Sequence, residues 1–261
     1  MMFLPLFLRA LAGLMLACAL CLAAGSAPAA EHAAEHAAEY TVCVEDLDFY
    51  PIYRTRDGVY EGFARELLDA FARKQGLRFK YRPLPVRRLF RDFYEFGVCD
   101  FKFPDNPTWQ VGIKSRAKPV YSKPVVDVLE GLMALPSNRD RPLDEIRRLG
   151  TIQGFSPWPY AKQIDSGHMQ LTQTNSTESL VRMAMLGRVD AIFHAVPVVE
   201  ESLDHALHQP GALVFMAALP SYRAEFSLAT LKHAEVVNAL NGFLASSHKA
   251  LLDQLRKRYG L

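Results

Sequence analysis

The chain has 261 residues, half of which are hydrophobic, and its 30 Lys and Arg nearly balance its 28 Asp and Glu. This near-neutral charge, without a large basic block, argues against a nucleic-acid partner. The length is long for one simple domain and sufficient for two small lobes. We therefore expect the partner to be a small molecule or another protein.

The first 30 residues have the pattern of a secretory signal. One cation, Arg9, precedes an apolar run over 10–24, and small residues follow that run. The run is too short to be a retained membrane span. We expect a cleaved signal peptide over 1–30, a polar spacer over 31–39, and a mature protein in the periplasm with no membrane span. A lipoprotein attached through a signal-region cysteine is the alternative.

Two cysteines, Cys43 and Cys99, remain after the signal region. Export to an oxidising compartment favours a disulfide between them. Both lie where strands are predicted to start, and the starts of parallel strands share one edge of a sheet. The alternative is a pair of buried free thiols.

The first half of the mature chain alternates predicted strands and helices. Short β-branched or alternating runs predict strands at 41–44, 77–81 and 100–103. Apolar residues at helical spacing predict two helices, the second over 86–96 with Phe96 facing inward. This alternation is the signature of a parallel sheet covered by helices.

The second half repeats this plan. Long segments at 125–135 and 217–230 are predicted to cross between two lobes. Between them the pattern predicts a short helix over 142–149 and a strand at 151–153, and two helical stretches over 234–259 close the molecule.

One short motif, the Gly-x-x-Asp step, occurs in both halves and supports the duplication. At 97–100 and again at 187–190, a helix-ending glycine is followed three residues later by Asp and then by an apolar strand. Two lobes built on one plan would produce this echo.

A polar segment follows the third strand. Pro104 is predicted to break the strand, and Asp105, Asn106, Thr108 and Trp109 come directly after it. We expect such a segment to lie outside the core and to form a wall of a polar cleft. The alternative is a surface turn with a Trp that shields it from solvent.

Four short motifs, taken in order and spacing, resemble the family 3 solute-binding proteins, the periplasmic components typical of amino-acid ABC importers. They are Gly-Val-Tyr-Glu-Gly-Phe at 58–63, the two Gly-x-x-Asp steps, and Tyr-Ser-Lys-Pro at 121–124. The resemblance runs from Tyr40 to the C-terminus. It implies an α/β, two-lobe type II periplasmic binding protein fold, in which each lobe has a mixed, mostly parallel sheet flanked by helices.

The same resemblance implies the domain boundaries. Lobe 1 would comprise 40–130 and 222–261, lobe 2 would comprise 131–221, and two hinge crossings would join them. The ligand would lie between the lobes, at the carboxyl ends of the strands.

The residues with which the family binds an α-amino acid are not found at the matching positions. The Arg that holds the α-carboxylate would fall at Gly112 or Ser115, and the Asp that binds the α-ammonium would fall at Ala195. Lys114 and Arg116 lie near the first position. A standard α-amino acid is therefore not the expected ligand.

The resemblance places nine candidate ligand-binding residues in the cleft: Asp46, Phe49, Lys102, Asp105, Asn106, Trp109, Ser156, Trp158 and His194. Two tryptophans suit a flat, cyclic or cationic ligand, which they bind by stacking or cation–π contact. The alternative for Trp158 is a loop-stiffening role. No partner for His194 stands at metal-ligand spacing, so neither a metal nor a cofactor is predicted.

The sequence thus predicts a monomeric, non-enzymatic binding protein that presents a small polar ligand to an inner-membrane ABC permease or receptor. One alternative is a dehydratase-like enzyme on the same fold that acts on a cyclic acid, with Lys102, Asp105 and His194 as acid or base groups. The other is an accessory or sensor subunit with a modified cleft.

Overall fold

A computed structural model describes residues 37–245 and 249–261. The expected signal peptide (1–30) and most of the spacer (31–39) lie outside the described residues. Within the described ranges, no helix has the length and apolar character needed to cross a bilayer.

The described residues form thirteen strands and eight α-helices. The strands are β1 (Ala38–Glu45), β2 (Asp48–Phe49), β3 (Tyr53–Arg56), β4 (Val59–Glu61), β5 (Leu77–Leu84), β6 (Phe101–Asp105), β7 (Val120–Tyr121), β8 (Val126–Ala134), β9 (Arg148–Ile152), β10 (Gln170–Thr174), β11 (Ala191–Ala195), β12 (Val214–Phe215) and β13 (Tyr222–Thr230). The helices are α1 (Phe63–Lys74), α2 (Val86–Tyr94), α3 (Val111–Lys114), α4 (Ala161–Asp165), α5 (Thr177–Met185), α6 (Val196–Glu201), α7 (Ala234–Ala245) and α8 (Lys249–Tyr259).

One long sheet runs in the order β10-β9-β11-β8-β13-β6-β1-β5; in addition, β7 pairs with β13, and β12 pairs with β8. Strand β1 is parallel to β5 and β6, and β9 is parallel to β10 and β11. The long strands β8 and β13 pair with each other antiparallel and join the two parallel groups. We call the part built on β1, β5 and β6 lobe 1, and the part built on β9, β10 and β11 lobe 2.

The core of lobe 1 is rich in aromatic residues. Helix α1 buries Phe63, Leu67 and Phe71, which recur every four residues and therefore share one face. Phe71 meets Phe243 of α7, and Phe63 meets Tyr259 of α8. The C-terminal helices thus close lobe 1, as predicted from 234–259.

The Gly-x-x-Asp steps have a structural role in both lobes. Each glycine ends a helix in the left-handed region, at φ +60° and +64°. The Asp100 carboxylate accepts the Thr41 N–H of β1 at 2.8 Å. The Asp190 carboxylate accepts the N–H groups of Arg147 and Arg148 at 3.0 and 2.8 Å. Each step therefore anchors the neighbouring parallel strand, which explains the echo.

The structure joins Cys43 and Cys99 in the predicted disulfide, with 5.7 Å between their Cα atoms. The bond links β1 to the segment before β6. The prediction that both cysteines lie at the start of a strand is wrong, because Cys43 lies within β1 and Cys99 precedes β6.

We expect the double substitution of Cys43 and Cys99 by Ser to lower the free energy of unfolding by about 4 kcal/mol, because the bond closes a loop with a sequence separation of 56 residues. Urea unfolding of the mature protein with and without reductant measures this effect. The double variant is the control and should not respond to reductant. Equal stability of both proteins without reductant would contradict the expectation.

Three further local predictions are wrong. Pro104 does not break the strand predicted at 100–103. That strand is β6, which runs through Pro104 to Asp105, and both residues are buried. The ladder between β6 and β13 shifts register between Ser227 and Ala229, where a proline's missing N–H is tolerated. The segment after Pro104 therefore begins inside the core.

The other two errors are an overlong helix and a missing one. Helix α2 ends at Tyr94, which leaves Phe96 65% exposed. Instead of a helix over 142–149, a single 3₁₀ turn at Leu143–Glu145 leads into β9. The helix prediction failed because so short a stretch has few hydrogen bonds to offset nucleation, and the following residues gain a strand partner instead.

Candidate ligand-binding site

A cavity of about 80 Å³ lies between the two lobes. Its lining side chains come from lobe 1 (Glu45, Tyr53, Val86, Phe90, Thr108, Trp109 and Gln110), from lobe 2 (Gly154, Phe155, Ser156, Trp158 and Phe193) and from the connecting strands (Glu130, Tyr222 and Phe226).

The strand order explains why these residues meet. Glu45 is the last residue of β1, Trp109 follows β6, and the loop 154–158 follows β9. The carboxyl ends of the parallel strands in both lobes therefore face the same gap. Glu130 of β8 and Tyr222 of β13 are direct partners across the antiparallel pair, and they form the wall of the cavity at the connection between the lobes.

Aromatic rings form most of the cavity wall. The Trp158 ring lies 5.0 Å from the Tyr222 ring, and the Trp109 ring lies 5.3 Å from the Phe226 ring, measured between centroids. Tyr222 also stacks on Phe193 at 6.2 Å. Trp158 is 55% exposed, which places it at the cavity rim.

Two buried carboxyl groups complete the cavity. Glu130 accepts a hydrogen bond from the Tyr222 hydroxyl at 2.6 Å. Burial raises the pKa of Glu130 to about 7; the hydrogen bond from Tyr222 opposes this rise, and the charge of Glu45 adds to it. Burial also raises the pKa of Glu45, against the opposing charge of Lys102 and a hydrogen bond from the Tyr53 hydroxyl.

Of the nine predicted site residues, Trp109, Ser156 and Trp158 line the cavity. Asp46 is exposed and does not line it. Asn106 shapes the loop before Trp109, because its side-chain oxygen Oδ1 accepts the Thr108 N–H at 2.9 Å.

Phe49 and His194 pack together beside the cavity, with ring centroids 5.1 Å apart. Phe49 also contacts Phe155, a lining residue, at 6.0 Å. The Thr177 hydroxyl of lobe 2 donates to the Asp48 carbonyl of lobe 1 at 2.7 Å and lies 3.2 Å from His194 Nε2. These residues form a contact between the lobes.

His194 is 1% exposed. Burial lowers the pKa of His194 to about 3, so the ring is neutral. No group of three or more His, Cys, Asp or Glu side chains capable of holding a metal ion occurs among residues 37–245 and 249–261.

Lys102 and Asp105 lie behind the cavity wall, in a buried ionic cluster. Lys114 of α3 donates to the Asp105 carboxylate at 2.6 Å, and the Tyr94 hydroxyl also donates to it. Lys102 lies 3.6 Å from Asp105 and 3.9 Å from the centre of the Phe90 ring, whose side chain lines the cavity. Burial lowers the pKa of both lysines, against the charge of Asp105.

This cluster explains the lysine at position 114. Lys114 reaches inward to Asp105 rather than toward the cavity. The cluster instead ties both ends of the loop that carries Trp109, since Asp105 precedes that loop and Lys114 follows it.

Several lining residues were not predicted, among them Glu45, Glu130 and Tyr222. Glu130 had a detectable signal, because it is a carboxyl group directly beside the apolar run 131–135. Tyr222 had none, since its pairing with Glu130 spans 92 positions in sequence.

No protein-family model matches the chain, and no curated protein sequence matches it either. Solved structures do match. A putative binding component of an ABC transporter from Wolinella succinogenes, complexed with lysine, is 20% identical over 85% of this chain and 95% of that chain, with a TM-score of 0.68.

Two further solved structures are similar. A histidine kinase sensor domain with similarity to periplasmic binding proteins is 18% identical over 84% of this chain and 95% of that chain, with a TM-score of 0.67. The ancestral amino acid-binding protein AncCDT-1, a precursor of cyclohexadienyl dehydratase, is 18% identical over 85% of this chain and 95% of that chain, with a TM-score of 0.66. At these identities the likeness concerns the fold. The predicted two-lobe type II periplasmic binding protein fold is confirmed.

Proposed function

We propose that the chain is an exported, monomeric solute-binding protein that captures a small polar, cyclic or cationic ligand between its lobes. It would act in the periplasm after cleavage of residues 1–30 and present the closed form to a membrane transporter or receptor. The observation that carries the proposal is the cavity at the carboxyl ends of the strands, which both lobes line with aromatic and carboxyl side chains. We take 40–130 with 222–261, and 131–221, as the closing lobes.

The cavity lining supports a ligand other than a standard α-amino acid. Among the described residues, no Lys, Arg or His lines the cavity, whereas Glu45 and Glu130 do. A ligand α-carboxylate would lie near two buried carboxyl groups without a cation to balance it, which is unfavourable in a poorly solvated site.

Contacts between the lobes support closure as the mechanism. Besides the bond from Thr177 to Asp48, the Gln110 side chain of lobe 1 donates to the Gly154 carbonyl of lobe 2 at 3.4 Å. These contacts form only when the lobes meet. A ligand that touches both lobes would therefore shift the population toward the closed form.

We expect Trp109→Ala to weaken ligand binding about tenfold or more, because the indole covers one side of the cavity. A thermal-shift screen of polar metabolites identifies a binder, and calorimetry on both proteins measures the loss. Phe96→Ala is the matched control, since Phe96 is 65% exposed and does not line the cavity.

X-ray scattering of the wild type with the same binder tests closure, and the radius of gyration should decrease. Unchanged affinity in Trp109→Ala would show that the binding site lies elsewhere. A strong binder that leaves the radius of gyration unchanged would contradict closure.

The dehydratase alternative has one observation in its favour. Glu130 lines the cavity with a pKa of about 7, which suits an acid or base group. A cyclic acid would also need a cation for its carboxylate, and the described lining has none. Incubation with cyclic acids followed by NMR would detect a product, and we expect no turnover.

A further inference from the structure

The charge balance of the cavity is uneven. Glu45 receives a hydrogen bond from Tyr53 and feels the positive charge of Lys102. Glu130 has no such cation: among the described residues its hydrogen-bond partner is the Tyr222 hydroxyl, and the charged group that acts on it is Glu45. Ionised Glu130 therefore lacks a counter-ion that the protein itself supplies, although it lies in the cavity wall.

The surroundings of Glu130 suit an organic cation. Its partner Tyr222 lies beside the Trp158 ring. Hydrogen bonding by the indole groups of Trp158 and Trp109 opposes the rise that burial causes in the pKa of the Tyr222 hydroxyl. Both tryptophans and Phe226 line the same cavity. Aromatic faces attract ammonium groups, and their alkyl substituents gain apolar contact at the same time.

We propose that the cavity selects a small organic ammonium ion that carries no carboxylate, with Glu130 as its counter-ion and Trp109, Trp158 and Tyr222 around its alkyl groups. This inference rests on the proposed function and names the ligand class for the same site. It distinguishes the ligand from the amino acids that several fold neighbours bind.

Other ligand classes fit less well. A zwitterion or an organic acid would add a negative charge beside two carboxyl groups. A neutral sugar would satisfy hydrogen bonds but leave ionised Glu130 uncompensated. A single positive charge balances Glu130, because Lys102 already acts on Glu45.

Calorimetry at pH 8 with matched compounds tests the charge requirement. One set is choline, its neutral isostere 3,3-dimethylbutanol, and glycine betaine, which adds a carboxylate. A second set pairs pyrrolidine with proline, and glucose is included as a neutral sugar. In the set that binds best, we expect the carboxylate-free cation to bind about tenfold or more tightly than its neutral or carboxylate-bearing counterpart.

Two variants connect that preference to the cavity. Glu130→Gln should weaken binding of the best cation about 30-fold or more. Glu225→Gln makes the same change at an exposed position on β13 and should leave the affinity unchanged.

The outcomes separate the two proposals. If a neutral or carboxylate-bearing compound binds as tightly as its cation, and Trp109→Ala removes that binding, the ammonium inference falls while the binding function stands. The same holds if Glu130→Gln binds the cation normally. If no compound of any class binds, both proposals fall.

Discussion

Glu130→Gln should raise the free energy of unfolding by roughly 3 kcal/mol at pH 8 and leave it nearly unchanged at pH 4. The reason is that the pKa of Glu130 is about 7 in the folded protein, against its ordinary value of 4.5. The folded state holds the Glu130 proton more tightly than the unfolded state does. The wild type is therefore most stable, with respect to this group, below pH 4.5, and loses that stability as pH rises toward 7.

Gln imitates the protonated carboxyl group at every pH. Its side-chain carbonyl can still accept the Tyr222 hydroxyl, so the hydrogen bond remains. The groups that face Glu130 are Tyr222, Tyr53 and Glu45, and they are present in both proteins. Glu45 titrates in both proteins, so the difference between their stability curves reports mainly Glu130.

Urea unfolding at one-unit steps from pH 4 to pH 8 measures the difference. The curves should converge in acid and separate between pH 4.5 and 7. Glu225→Gln, at an exposed position, should follow the wild type throughout. Parallel curves for Glu130→Gln and the wild type would show that Glu130 titrates normally in the folded protein.

The same proton competes with a bound cation. At pH 8 a carboxyl group with a pKa of about 7 is mostly ionised, and at pH 6 roughly one molecule in eleven is ionised. Ammonium affinity should therefore fall about tenfold from pH 8 to pH 6. Glu130 thus costs stability in the empty protein and gains a partner when the site is filled, a trade-off common at functional sites.

Local sequence patterns were sufficient to predict most of the fold. The four-residue recurrence in α1 and the short strands that alternate with helices led to a parallel sheet in two lobes. The prediction failed where the local structure depends on a strand that is distant in sequence. Pro104 stays in a strand because the irregular pairing lies on β13, more than a hundred residues away.

The site was partly predictable for the same physical reason. Trp109 and Trp158 follow strands, and the family resemblance placed both at the cleft where the ends of the parallel strands converge. Glu130 and Tyr222 lie in the crossing strands, where only the antiparallel register brings them together. Asp105 has the polar character of a cleft residue, yet its partners Tyr94 and Lys114 enclose it.

Asp105→Asn should lower the free energy of unfolding by about 3–5 kcal/mol, because it removes the buried carboxylate that faces Lys102 and leaves Lys114 without its counter-ion. Asp105 is fully buried, and Lys114 is 6% exposed, so water cannot replace the lost charge. Asp127→Asn is the control: Asp127 pairs with Arg223 at the surface, with side chains 52% and 68% exposed, and the change should cost less than about 1 kcal/mol.

A double-mutant cycle with Lys114→Met separates the ion pair from general damage to the core. Removing both partners should cost less than the sum of the single changes, with a coupling energy of about 2 kcal/mol. Additive effects would show that the two side chains do not stabilise each other. Urea unfolding of the four proteins at pH 7 gives all the required values.

Ligand affinity distinguishes this structural role from direct binding by Asp105. The cluster lies behind Phe90, and Asp105 does not line the cavity. At a temperature where Asp105→Asn remains folded, its affinity should stay within about threefold of the wild type, because the ligand does not touch the carboxylate. A large loss of affinity with unchanged stability would instead make Asp105 a ligand contact, as its sequence context first indicated.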